Sequence, residues 1–91
     1  MKNNILVTYD LNRIGQNYEA LIEKIKQLGS WAKIQQSVWY LHTSYSVNEV
    51  LDHLTKVTDF NDSIFVANMH DASSIGLSAE VQQFIYEQWY K

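Results

Sequence analysis

Asp10 is the residue of this sequence whose position most favours metal chemistry. It follows the short apolar run Asn4–Tyr9, which is typical of a buried strand, so its carboxylate is expected where a strand ends and a loop begins. A carboxylate is a ligand for Mg²⁺ or another hard cation, and a twofold axis nearby would bring a second Asp10 beside it. The alternative is an Asp that caps or turns the chain after the strand. One carboxylate is a poor metal site, so the metal prediction depends on this pairing.

Arg13 is the only arginine, three residues after Asp10. Its planar guanidinium suits a phosphate group, although a solvated loop side chain or a partner of Asp10 fits the residue as well. The six lysines are spread along the chain and the net charge is −3. This balance disfavours a duplex-DNA binder, which needs a basic stripe. The histidines His42, His53 and His70 have no metal-ligand spacing.

Aromatic side chains are numerous, with three Trp, six Tyr and three Phe among 91 residues. Trp39, Tyr40 and Tyr45 lie in or beside one predicted strand, and Tyr9 ends another. Side chains alternate along a strand, so Trp39 and Tyr40 face opposite sides, and the polar character of Tyr40 and His42 favours the uncovered side for that pair. Aromatic residues on such a face stack nucleobases at about 1–3 kcal/mol per base, or they pack a dimer. The sequence leaves both interpretations open, beside the simpler one that these rings fill the core.

Hydrophobic spacing predicts four strands, near residues 4–9, 31–34, 37–43 and 63–68, and three helices, near 18–28, 47–57 and 78–90. Ser46 with Glu49 forms a capping box at the second helix, and Gly29 lies where a left-handed residue commonly ends a helix. The order β-α-β-β-α-β, followed by a helix, predicts an α+β fold. Its most economical form is a ferredoxin-like βαββαβ sandwich with an added C-terminal helix.

Length and composition narrow the class further. We expect a single domain over residues 1–91, with its core in 4–68. The absence of cysteine excludes disulfides and thiolate metal sites. No apolar run approaches the roughly 20 residues of a membrane span, so we expect a cytoplasmic protein with no membrane partner. Two helices cover only one face of such a sheet; the other face is solvated, covered by the last helix, or paired with a second subunit.

Three stretches, in order along the chain, carry a family resemblance: Val7–Asn12 (VTYDLN), Lys33–Trp39 (KIQQSVW) and Asn61–Val66 (NDSIFV). They resemble strand segments of the second CRISPR-associated protein family, the small subunits of the spacer-adaptation machinery. The resemblance implies a ferredoxin-like homodimer joined through the open faces of its sheets. It also implies either a metal-dependent nuclease with Asp10 at the dimer axis or a structural DNA-binding subunit.

The favoured functional hypothesis is non-catalytic binding of a small nucleotide, such as a cyclic dinucleotide or a short oligonucleotide signal, at the seam of a homodimer or higher homo-oligomer. Such a protein would sequester the signal as a sponge and would require no cofactor. The alternatives are a Mg²⁺-dependent nuclease acting on RNA or DNA through paired Asp10, and a protein-interaction module. The residues expected to contact the nucleotide are Tyr9, Asn12, Arg13, Trp39, Tyr40 and Tyr45.

Overall fold

The computed structural model describes residues 2–10, 18–59 and 61–91. The strands form one antiparallel sheet in the order β2-β3-β1-β4. The predicted α+β fold class, a ferredoxin-like sandwich with an added C-terminal helix, is confirmed. In chain order, the elements are β1 (Asn3–Asp10), α1 (Glu19–Gln27), β2 (Ser30–Gln35), β3 (Val38–Thr43), α2 (Val47–Thr55), β4 (Ser63–Asn68) and α3 (Ala79–Trp89).

The hydrophobic core lies between the sheet and helices α1 and α2. Alternation along β1 sends every second side chain to this side, while each helix contributes an apolar stripe. We refer to this side of the sheet as the core face. The buried residues that form the core are Ile5, Val7, Tyr9, Leu21, Ile25, Leu28, Trp39, Leu41, Val50 and Leu54.

The strand register fixes which side chains share the opposite side of the sheet, which we call the second face. Leu6 lies opposite Tyr40 on β3 and opposite Ala67 on β4. Thr8 lies opposite Val38 and Phe65 in the same way. The second face is therefore partly apolar, and it needs a cover of its own.

Helix α3 supplies part of that cover. It begins after Ser78, whose hydroxyl accepts a hydrogen bond from the Val81 amide, and it packs against β2 and β3 on the second face. Of the three alternatives for the second face, cover by the last helix is therefore observed over β2 and β3. Over β4 the face is not covered in this way, and Phe65 stays exposed. No side chain of α3 is fully buried. Within the described ranges, the helices are all too short or too polar to cross a bilayer.

Two helix-end predictions have different outcomes. The capping box is present: the Ser46 amide donates to the Glu49 carboxylate at 2.9 Å, and the Glu49 amide donates to the Ser46 hydroxyl at 3.1 Å. The prediction that Gly29 is left-handed is wrong, because its φ is not positive. Glycine is required there for space, since an added Cβ would collide with the His42 carbonyl oxygen.

Candidate ligand-binding cleft

The second face and helix α3 border an open cleft of about 950 Å³, which we call the sheet–helix cleft. Its volume lies in the range of about 300–1,000 Å³ that small-molecule sites occupy. Three parts of the chain line it. They are the strands (Leu6, Thr8, Ile34, Gln35, Val38, Tyr40), the connection from β4 to α3 (Met69, Asp71, Ala72, Ser73, Ser74, Ile75, Leu77) and α3 with its C-terminal neighbour (Gln82, Ile85, Tyr86, Trp89, Tyr90).

Aromatic rings dominate the α3 side of the cleft. The ring of Trp89 lies nearly parallel to that of Tyr40, with centroids 6.2 Å apart and planes 12° apart, and Phe84 meets Tyr40 edge-on at 6.4 Å. Tyr86 and Tyr90, one helical turn apart, pack edge to face at 6.5 Å and remain largely exposed. The cleft therefore offers both a buried ring, Tyr40, and exposed rings that a ligand can reach.

A buried cluster of polar groups lies beneath the C-terminal end of α3. The Tyr40 hydroxyl donates to Asn4 Oδ1 at 2.6 Å, and His42 Nδ1 lies 3.0 Å from the same oxygen. Asn4 Nδ2 donates to the Trp89 carbonyl at 3.0 Å. Because Asn4 presents its oxygen to the imidazole, His42 Nδ1 carries the proton, and Nε2 is left as a buried acceptor with no partner among the described residues.

Burial changes the proton affinity of both ionisable groups in this cluster. Loss of solvation raises the pKa of Tyr40 to about 12, so its phenol is uncharged at neutral pH. Burial first, and then the positive charges of Lys2 and Lys91, hold the pKa of His42 below its ordinary value of 6.5. The imidazole is consequently neutral at pH 7, and the cluster carries no net charge.

The charge around the cleft is uneven. Among the described lining residues, Asp71 is the acidic one and no Lys, Arg or His contributes. Positive charge comes instead from Lys2, which precedes β1, and Lys91, which follows α3; both act on the pKa of His42. The cleft is thus neutral to acidic along its lining, with two lysines near the end where the polar cluster lies.

The structure separates the predicted ligand contacts. Tyr40 lines the cleft, whereas Tyr9 and Trp39 lie on the core face. Trp39 is 3% exposed and its indole donates to the Tyr9 hydroxyl at 3.2 Å, so both rings serve the core. Tyr45 is half-buried beside α2, where its ring packs against that of His53 at 5.0 Å. These four rings do not form one site.

Other predicted site residues lie elsewhere. Asn12 and Arg13 fall outside the described residues. Asp10 is exposed at the end of β1, with Ser63 opposite it on β4. Across residues 2–10, 18–59 and 61–91, no group of three or more His, Cys, Asp or Glu is placed to hold a metal. A site made from two Asp10 carboxylates requires a second copy of the chain and stays a prediction.

Several cleft residues were missed although the sequence carries a signal for them. The alternation that places Ile5 and Val7 in the core also places Leu6 and Thr8 on the second face, beside Tyr40. Tyr86 and Tyr90 are spaced by one helical turn, which puts them on the same side of α3. No comparable signal marks the small polar residues between β4 and α3 as a cleft wall.

Comparison with known proteins gives no assignment. No model of a protein family matches this sequence, and no curated protein matches it either. The resemblance to the second CRISPR-associated protein family therefore stays a prediction.

Proposed function

We propose that this protein is a non-catalytic binding protein that holds a small ligand with an aromatic ring, a nucleotide first of all, in the sheet–helix cleft. The observation that carries the proposal is the cleft itself, about 950 Å³ in a chain of 91 residues. Concave sites of that size, with an apolar and aromatic lining and a few polar groups, are the ordinary form of small-molecule sites.

The side chains of the lining suit a planar ligand. Tyr86 and Tyr90 present exposed rings, on which a nucleobase stacks at about 1–3 kcal/mol per base. Thr8 and Gln35 contribute a hydroxyl and an amide that can donate and accept hydrogen bonds at the edge of a base. Gln82, whose Nε2 donates to the Leu77 carbonyl, offers its amide oxygen as an acceptor. The ring faces provide affinity and the polar groups provide orientation.

The charges favour a ligand with few phosphates. A phosphate repels Asp71, so it would be held at the end of the cleft where Lys2 and Lys91 supply positive charge. Two lysines match one or two phosphates, whereas a long polymer requires an extended basic surface. A net charge of −3 also opposes a long nucleic acid. A mononucleotide or a cyclic dinucleotide is therefore a better candidate than duplex DNA.

This proposal places the ligand within one chain and not at a seam between two. The second face is partly covered by α3, and the cleft lies between that helix and the sheet. We therefore expect binding without a second copy, and a homodimer stays a separate prediction. Sedimentation of the protein with and without ligand would show whether pairing accompanies binding.

The test is a calorimetric titration with nucleosides, mononucleotides, cyclic dinucleotides and short RNA and DNA, followed by mass spectrometry of the recovered ligand. Tyr86→Ala and Phe65→Ala form a matched pair, because the two rings are 69% and 64% exposed and only Tyr86 lines the cleft. Tyr86→Ala should weaken binding by about 5- to 150-fold, which corresponds to the stacking energy of one base. Phe65→Ala should bind like the unmodified protein.

Three outcomes would overturn the proposal. The first is that none of the tested ligands binds at concentrations up to about 1 mM, since a weaker affinity would not allow sequestration. That result would favour the protein-interaction hypothesis. The second is an equal loss of affinity in Tyr86→Ala and Phe65→Ala, which would place the site elsewhere. The third is Mg²⁺-dependent cleavage of RNA or DNA that Asp10→Ala abolishes, which would favour the nuclease.

A further inference from the structure

Helix α3 is attached to the sheet by fewer buried groups than the other two helices. Helices α1 and α2 each bury two side chains completely, whereas α3 buries none. Its contacts with the second face include the ring packing of Trp89 and Phe84 on Tyr40 and the hydrogen bond from Asn4 to the Trp89 carbonyl. Segments with little buried apolar surface open at lower free energy than the rest of a fold.

The same few residues connect α3 to a titratable group. Asn4 Oδ1 accepts from His42 Nδ1 while Asn4 Nδ2 donates to Trp89, so the imidazole and the end of α3 share one side chain. His42 is 1% exposed and its Nε2 has no partner among the described residues. A proton added at Nε2 would be buried without an acceptor.

Among the described residues, the charges that act on the His42 imidazole disfavour that proton. Lys2, before β1, and Lys91, after α3, both lower the pKa of His42. On its own strand, Tyr40 is uncharged, with a pKa raised to about 12. Across the sheet, the residues opposite His42 are Asn4 on β1 and Ser30 on β2, and neither titrates. Exposure of His42 to water removes the desolvation cost of the imidazolium and separates it from Lys91.

We propose that α3 is an acid-released cover of the sheet–helix cleft, and that protonation of His42 is the event that detaches it. The α1 and α2 side of the sheet keeps its own core, so detachment leaves the rest of the fold in place. Since Tyr86 and Trp89 belong to the cleft, detachment also dismantles the ligand site. This last consequence rests on the proposed function, whereas the motion of α3 does not.

The direction of the pH dependence follows from proton binding. With α3 attached, the pKa of His42 lies below 6.5, and with α3 detached it returns to about that value. The detached state binds more protons between these two values. The ratio of attached to detached molecules therefore falls by up to about tenfold per pH unit below 6.5, and it is constant above.

The test measures the position of α3 without any ligand. Because the chain has no cysteine, Asn48→Cys on α2 and Gln83→Cys on α3, both exposed, allow a specific pair of spin labels. The distribution of distances between the two labels is recorded by pulsed electron paramagnetic resonance from about pH 8 to about pH 4.5. We expect a single narrow distribution of label-to-label distances at high pH. Below pH 6.5 a second, broad distribution should increase, while the far-ultraviolet circular dichroism spectrum remains that of the folded protein.

Two histidine variants provide the controls. His42→Asn keeps an amide donor at the position of Nδ1 but does not titrate, so its distances should not change with pH. His70→Asn removes an exposed histidine and should behave like the unmodified protein. The proposal is overturned by an unchanged distance down to pH about 4.5, or by the same acid population in His42→Asn. Independently of any variant, an NMR titration that places the pKa of His42 at or above 6.5 would refute it.

Discussion

Asn4→Ala is expected to destabilise the protein well beyond the usual effect of removing one small polar side chain. Asn4 makes three hydrogen bonds that connect three elements: it accepts from Tyr40 and His42 on β3, and it donates to Trp89 on α3. Truncation to Cβ removes all three bonds together and leaves the partners in place. The cost therefore depends on which partners find a replacement.

The magnitude follows from the burial of each partner. A buried donor or acceptor left without a partner costs about 1–3 kcal/mol. The Tyr40 hydroxyl and the His42 ring are buried, whereas the Trp89 carbonyl lies at the last turn of a partly exposed helix, where water replaces the lost bond. The Tyr40 hydroxyl is 3.5 Å from His42 Nδ1, so a change of imidazole tautomer recovers one contact. These terms together give a loss of about 3 kcal/mol.

Two further variants calibrate that value. Tyr40→Phe removes one bond, but Asn4 Oδ1 still accepts from His42, so the loss should be about 1 kcal/mol. Asn3→Ala is the matched control, since Asn3 is the neighbouring residue of β1. Its Nδ2 donates to the Tyr45 carbonyl at 2.8 Å, and its Oδ1 accepts only a long, exposed bond of 3.4 Å from Asn68. This variant should also lose about 1 kcal/mol.

Urea unfolding and thermal melting measure these differences. In a domain of this size, 1 kcal/mol corresponds to about 4–8 °C in Tm, so Asn4→Ala should melt about 12–24 °C below the unmodified protein. Tyr40→Phe and Asn3→Ala should melt about 4–8 °C below it. A loss in Asn4→Ala no larger than that in Asn3→Ala would refute the cooperative polar cluster.

Three other substitutions are tested by urea unfolding. Gly29→Ala should cost about 1–3 kcal/mol, because its Cβ would collide with the backbone of His42, and a neutral result would contradict the close approach. Ser46→Ala should cost about 1 kcal/mol through loss of the capping box of α2, and no loss would show that Glu49 suffices. Asn4→Asp places a carboxylate against the imidazole and should raise the pKa of His42 above 6.5, so this variant loses stability as pH rises through that raised pKa. The unmodified protein instead loses stability as pH falls below 6.5; the same sign in both proteins would contradict the contact between the side chain at position 4 and the His42 imidazole.

The core of the fold was accessible from sequence because its signals are local. Asn4–Tyr9 is a short, apolar and β-rich run, and the two core helices repeat apolar residues at helical spacing. The two helices of the βαββαβ unit cover one side of such a sheet, which leads directly to the sandwich. Gly29 shows the limit of local rules, because the requirement for glycine comes from the β3 backbone and not from the end of α1.

The cleft was less accessible from the sequence because its signals are long-range. Strand alternation separates Trp39 from Tyr40, yet both were assigned to one ligand surface on the strength of their aromatic character; the structure places them on opposite faces. The position of α3 depends on a hydrogen bond between Asn4 and Trp89, 85 residues apart in the chain. No spacing rule connects residues so distant. The sequence therefore left three alternatives for the second face: exposure to solvent, cover by the last helix, or pairing with a second subunit.

Binding of the proposed ligand and protonation of His42 should be negatively coupled, because the ligand requires α3 to be attached and the proton favours its detachment. Tyr40 and Trp89 belong both to the cleft and to the docking of the helix. A ligand that binds only when α3 is attached must lower the proton affinity of His42, and by reciprocity the proton must weaken the ligand by the same factor. At a ligand concentration of about 100 times Kd, the attached state gains about two powers of ten, which moves acid release of α3 downward by about two pH units. That shift is limited by the pKa that His42 has beneath the attached helix, since below it both states carry the proton and acid has no further effect.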